Sequence, residues 1–153
     1  MTDIATDYSN DDLRGDLGLQ DGQLTQDEGL DSAILHSLFT DRRATLTDVK
    51  PLGRSDLRGW WGDLTLAASG DQYGSLLWLL EREKLNAATA ERARQYAVDA
   101  LKWLIEDGVA IAYQVEVEIL RRDTLGMLVT VQLDAEDTIV TQYLTSLGAG
   151  NAV

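Results

Sequence analysis

The sequence contains no cysteine, one proline, one histidine and one phenylalanine, and its acidic residues outnumber its basic ones two to one. Each scarcity removes a class of function. Without cysteine there is no disulfide, no thiolate metal centre and no cysteine nucleophile. With His36 alone, a multi-histidine metal site is impossible, and a Ser-His-Asp triad would have to use that residue. Thirteen Lys and Arg against 26 Asp and Glu leave a net charge of −13. That charge repels phosphates and argues against nucleic acid as a partner. No apolar run is long enough to span a membrane. The start, Met1-Thr2-Asp3-Ile4, is acidic and lacks the basic and apolar regions of a signal peptide, which predicts synthesis and folding in the cytosol. No phosphate-binding glycine loop, calcium loop or nucleotide fingerprint is present, and no cofactor is expected.

What remains is an ordinary globular composition, 44 % apolar and 25 % charged over 153 residues, which fits one domain with a hydrophobic core. The charge is uneven. Residues 1–31 hold nine Asp and Glu against one Arg, a net −8. That front is either a solvated acidic segment or a surface for a basic partner. Residues 1–14 read as an acidic arm and residues 145–153 as a small-residue tail, both expected to be mobile.

Between these ends the pattern changes three times. Asp21-Gly22 sits between the alternating runs Asp16–Gln20 and Gln23–Gln26. This is a hairpin signal, because both central residues of a type I′ turn need positive φ. Asp31 or Ser32 then caps a helix whose apolar stripe is Ala33, Ile34, Leu35, Leu38 and Phe39. His36 falls one position off that stripe and reads as a boundary histidine rather than a base. Arg42-Arg43 follow at the helix end, favourable for its dipole. Leu76 to Leu80 predicts a short helix buried on more than one side. A long helix is expected from about Ala90 to Asp107, capped by Asn86 or Thr89 and ended by Gly108. From Val109 the period drops to two, and three strands follow: 109–121, 127–133 and 138–144. The expected fold is α+β: an N-terminal hairpin and helix, a long loop, and two helices packed on a C-terminal three-stranded antiparallel meander.

The loop, residues 44–70, holds the sequence's oddest stretch: Gly53-Arg54-Ser55-Asp56-Leu57-Arg58-Gly59-Trp60-Trp61-Gly62-Asp63. It has no periodicity beyond a short candidate strand, Leu64-Thr65-Leu66, and carries two of the four tryptophans. Each can bury roughly 150–250 Å². One reading is a lid folded onto the chain's own core; the other is a preformed anchor for a second subunit, since Trp and Arg are enriched at binding hot spots. One ring is expected in the core and the other at its boundary, with Arg58 and Asp63 holding the loop's ends. Catalysis has only weak signals. Asp56 with Asp63, Glu81 with Glu83, or Glu106 with Asp107 could form an acid pair beside an aromatic platform, but 26 acidic residues make such pairs inevitable.

Four blocks are familiar in combination: Leu38–Arg43, Asp56–Asp63, Leu77–Lys84 and Tyr96–Val109. Together they resemble the phage Mu small baseplate protein family, which is similar to the lysozyme-like baseplate wedge subunit of T-even phages. The resemblance covers about residues 15–135, and Arg58-Gly59-Trp60-Trp61-Gly62-Asp63 is its most specific part. It implies a structural subunit of a contractile tail baseplate rather than an enzyme. Such a subunit is made in the host cytoplasm and incorporated in the virion tail. It joins larger wedge proteins in a six-fold hetero-oligomeric assembly and helps to seed the sheath. The alternatives are a lysozyme-like cell-wall glycan hydrolase and another protein-binding module. The wider family's Glu-Pro-Arg motif reads Glu106-Asp107-Gly108 here, so only its glutamate carries over. The contact candidates are therefore Arg42, Arg43, Arg58, Trp60, Trp61 and Asp63 near the loop, Glu106 at the helix end, and Ile139, Gln142 and Tyr143 on the third strand. The third strand is an exposed edge, which invites addition of another chain's strand.

Overall fold

The structure, a computed structural model, describes residues 3–24, 26–27, 29–48, 55–65 and 72–146. Pro51, Gly53, Arg54, Leu66 and Gly70, and residues 147–153 of the predicted tail, lie outside them. The architecture is α+β, with helices packed on a C-terminal antiparallel sheet.

The chain begins with six short strands: β1 (Asp3–Ile4), β2 (Thr6–Ser9), β3 (Arg14–Leu17), β4 (Leu19–Gln20), β5 (Gln23–Leu24) and β6 (Gln26–Asp27). β2 pairs with β3, β4 with β5 and β1 with β6, all antiparallel. The Asp21-Gly22 turn has φ of 53° and 79°, the I′ geometry its sequence calls for. Residues 3–14 differ from the expected arm, being drawn into these pairings. Their anchor is a single ring with no periodicity to betray it. Tyr8 stacks on Phe39 at 4.9 Å and meets Tyr143 edge-on at 5.5 Å. Its hydroxyl donates to the Leu144 carbonyl at 2.6 Å, and burial pushes its pKa up to about 12.

Helix α1 (Leu30–Phe39) starts one residue before the predicted cap. Gly29 takes the cap position at φ 86°. Ser32 is instead buried and accepts a hydrogen bond from the Thr6 amide at 2.8 Å, so a tertiary contact claimed the hydroxyl. Ile34, Leu35 and Leu38 enter the core. His36 is exposed beside the Thr6 hydroxyl at 3.2 Å. Leu77–Leu80 forms a 3₁₀ turn whose four residues are all buried.

The predicted long helix is two pieces, α2 (Ala87–Ala100) and α3 (Trp103–Glu106). Asn86 caps α2 by accepting from the Thr89 amide. At the break the Leu101 amide is shared between the carbonyls of Ala97 and Val98. The bend lets Trp103 donate its indole N–H to Ser37 on α1 at 3.0 Å, a contact that no helical period announces. Gly108, at φ 69°, ends the segment as expected.

The sheet runs β7 (Ala112–Arg121), β8 (Thr124–Gln132), β9 (Thr138–Ser146) in that order. Pairs Val115↔Val129 and Met127↔Tyr143 put Val115, Leu125, Met127, Val129, Val131 and Tyr143 on the face covered by the helices. Gln114, Glu116 and Glu118 lie on the exposed face, as the alternation predicted. Val109 and Ile111 stay outside β7. Ala93 and Ala97 are fully buried where α2 joins this core. Ala97→Leu is expected to destabilise by about 1–3 kcal/mol through overpacking, read as a lower urea midpoint at unchanged slope.

Candidate functional site

After α1 the chain leaves the helix before reaching the arginine pair. Arg42 and Arg43 therefore do not complement its dipole. They run extended beside residues 74–75, where the Arg42 amide donates to the Ser75 carbonyl and the Ser75 amide to the Thr40 carbonyl, both at 2.9 Å. The approach requires glycine at 74: φ is 95°, and a Cβ there would sit 2.3 Å from the Thr40 oxygen. One residue further, Ala44 receives the loop, its amide donating to the Leu57 carbonyl at 2.9 Å.

That contact delivers Arg58, at φ 47°, into a cluster with three side-chain partners. Its guanidinium reaches Asp41 at 2.7 Å and takes Glu81 in a fork, Nη1 to Oε1 at 3.1 Å and Nη2 to Oε2 at 3.0 Å. Its Cζ lies 4.6 Å from the centroid of the Trp78 ring. Trp78 is buried, with its indole N–H donated to the Arg42 carbonyl at 2.9 Å. Burial works against the Arg58 charge, but the contacts with Glu81 and Asp41 outweigh it and hold its pKa above the ordinary value. Two carboxylates, a ring and the 3₁₀ turn at Leu77–Leu80 are thus fastened to one loop residue.

Past this clamp come the paired rings. Trp60 is half-buried against Tyr73, centroids 5.1 Å apart, and against Trp61 at 5.5 Å. Gly62 lies under the Trp60 ring, where a Cβ would meet ring carbons at 2.3 Å. Trp61 is 77 % exposed. Neither ring joins the core, contrary to the expectation for one of them. The core place is taken by Trp78, which the clamped arginine covers. Trp61–Thr65 forms a 3₁₀ turn, so the strand expected from Leu64 is absent over the described Leu64 and Thr65. Asp63 accepts from the Tyr73 amide at 3.1 Å, and Arg43 donates to the Arg58 carbonyl at 3.3 Å. Arg58, Trp60, Trp61, Asp63, Arg42 and Arg43 thus belong to one braced surface.

The other candidates lie on different elements. Glu106 is exposed at the end of α3. Tyr143 is a correction: its side chain is buried against Tyr8 and Phe39, because odd-numbered β9 residues face the helices. Its backbone N–H and C=O face β8, opposite to those of Gln142 and Leu144, so it offers an added strand neither side chain nor ladder groups. Ile139 is on the same face and Gln142 on the exposed one. The β9 edge holds a residue the sequence reading passed over. Asn10 donates from Nδ2 to the Gln142 carbonyl at 3.2 Å and accepts at Oδ1 from the Leu144 amide at 2.8 Å. One side-chain amide stands where a strand's peptide group would, a role no local pattern signals. With Gln142 C=O and Leu144 N–H facing outward, alternation turns the Val140 amide and carbonyl outward too.

Three of the six carboxylates proposed as acid pairs are engaged elsewhere. Glu81 is held by Arg58, and Glu83 pairs with Arg92. Asp63 is tied to the Tyr73 amide.

Residues 30–138 match the family described as phage protein GP46. The chain is 43 % identical over 134 residues to the baseplate protein gp46 of Escherichia phage Mu, covering 87 % of this chain and 88 % of that protein. It is 41 % identical over 115 residues to the Mu-like prophage FluMu protein gp46 of Haemophilus influenzae, covering 75 % of each. The chain belongs to the phage protein GP46 family of Mu-type baseplate proteins.

Proposed function

We propose that this chain is a structural subunit of a contractile phage, or phage-like, tail baseplate. It takes its place there by binding larger wedge proteins around the hub. The observation that carries the reading is Trp61, 77 % exposed on a loop that Arg58 ties to Asp41 and Glu81. A large ring held in place before binding loses little freedom on association, which is what makes tryptophan effective at hot spots. The name of the Mu relative, a baseplate protein, supports the same reading. Co-expression with the neighbouring tail proteins, followed by affinity capture, tests it. A stable complex of defined stoichiometry is expected. A chain that elutes alone from every combination, and particles that assemble complete baseplates without it, would refute it.

Sheath seeding rests on β9. Asn10 occupies one end of its outer edge, and the outward groups around Val140, itself 58 % exposed, are placed to accept an added strand. Hydrogen exchange at Val140 is expected to slow at least about tenfold on mixing with the sheath protein. Unchanged exchange there would remove the edge from the seeding role.

A further inference from the structure

Between α1, the end of α2, α3 and the segment before Ser75 lies a cavity of about 300 Å³. Small residues make room for it: Ala33, Gly74 and Ala100. Two rings, Tyr73 and Trp103, line it beside them, and Asp107 supplies the one carboxylate among its described lining residues. The Trp103 N–H is already donated to Ser37, whose hydroxyl in turn donates to the Ala33 carbonyl. The indole therefore offers the cavity ring surface rather than a donor. Asp107 is exposed and has no side-chain hydrogen bond or ion pair among the described residues. The nearest lysine in sequence, Lys102, is paired with Asp99 at 2.7 Å.

The volume is at the bottom of the range for ligand pockets, too small for a nucleotide and suited to one long side chain. Aromatic walls with a free carboxylate select a cation. A planar guanidinium suits rings and carboxylate together better than an ammonium. An apolar side chain would instead cover Asp107 without compensating its charge. We propose that this cavity receives an arginine side chain from a partner protein, its guanidinium on Asp107 and against the rings of Tyr73 and Trp103. The net charge of −13 favours approach of such a residue. Tyr73 also touches Trp60, so the cavity adjoins the tryptophan surface, but the inference stands on the cavity alone and does not require the baseplate reading.

The test titrates N-acetyl-arginine methylamide into the full-length chain while the Trp103 indole N–H is followed by NMR. A saturable shift is expected, with the neutral isostere N-acetyl-citrulline methylamide binding about tenfold more weakly. Asp107→Asn is expected to weaken the arginine probe by a similar factor while its own Trp103 signal shows the fold intact. Asp11→Asn, a change at a surface acid in the turn between β2 and β3, is expected to leave binding unchanged. No shift at Trp103, equal binding of the citrulline probe, or full binding by Asp107→Asn would each overturn the proposal.

Discussion

Arg58→Ala is expected to lower the unfolding free energy by about 2 kcal/mol, with Arg58→Lys losing roughly half as much. Breaking a fully buried ion pair from one side costs about 3–5 kcal/mol, because the remaining charge is stranded. Here the Arg58 side chain is 14 % exposed, but Glu81 and Asp41 are 36 % and 44 % exposed. Water can resolvate both carboxylates, which brings the figure below that range. Loss of the guanidinium over Trp78 adds a smaller amount. Lysine keeps the charge but cannot hold both Glu81 oxygens and Asp41 with one fixed fork. The backbone contributes little, since alanine is no more strained than arginine at φ 47°. Urea denaturation measures all three proteins. A change under about 0.5 kcal/mol for Arg58→Ala would mean that the cluster is a surface ion pair of the usual small worth. The loop would then need another brace.

Trp61→Ala is expected to do the opposite: little to stability and much to binding. The ring is 77 % exposed, so its removal should change the urea midpoint by no more than about 0.5 kcal/mol. As a hot spot it should cost 2 kcal/mol or more of binding, about a 30-fold weaker capture of the proposed baseplate partner. Leu46→Ala is the control, because Leu46 is 85 % exposed in a separate turn, closed by Asp48 on Thr45 and outside the Arg58 cluster. Its loss should leave capture unchanged. If Trp61→Ala unfolds the chain, the loop is a lid on its own core. If it folds and binds as before, the anchor lies elsewhere. The two substitutions together separate bracing from contact, which the tryptophan pair alone leaves merged.

How far the site was legible follows from the range of the interactions that make it. Asp21-Gly22 and Gly108 are governed by backbone conformation, so adjacent residues announce them. The faces of β7 and β8 follow from alternation, which is local as well. The clamp is different. Arg58 finds Asp41 and Glu81 across 17 and 23 residues, and nothing near Arg58 marks either carboxylate as its partner. Asn10 reaches β9 across 132 and 134 residues, in a stretch whose weak pattern reads as an arm. The break between α2 and α3 likewise goes with a distant contact, Trp103 on Ser37, 66 residues away.

By itself, the sequence determined what the chain can contain: helices and strands of these types, a family, and an acidic protein without thiol or multi-histidine chemistry. The apolar run Leu76–Leu80 already pointed to burial of Trp78, but only the tertiary structure decided that neither loop tryptophan joins it. Composition and spacing treat Trp60 and Trp61 alike as large apolar rings. Burial depends on what the rest of the chain leaves open. Arg58 bonds to Asp41 and Glu81 and covers Trp78, which fills the inner position. Gly62 admits the Trp60 ring against Tyr73, and the space is then used. Trp61 remains outside because packing is a property of the assembled chain and not of the stretch that carries the ring.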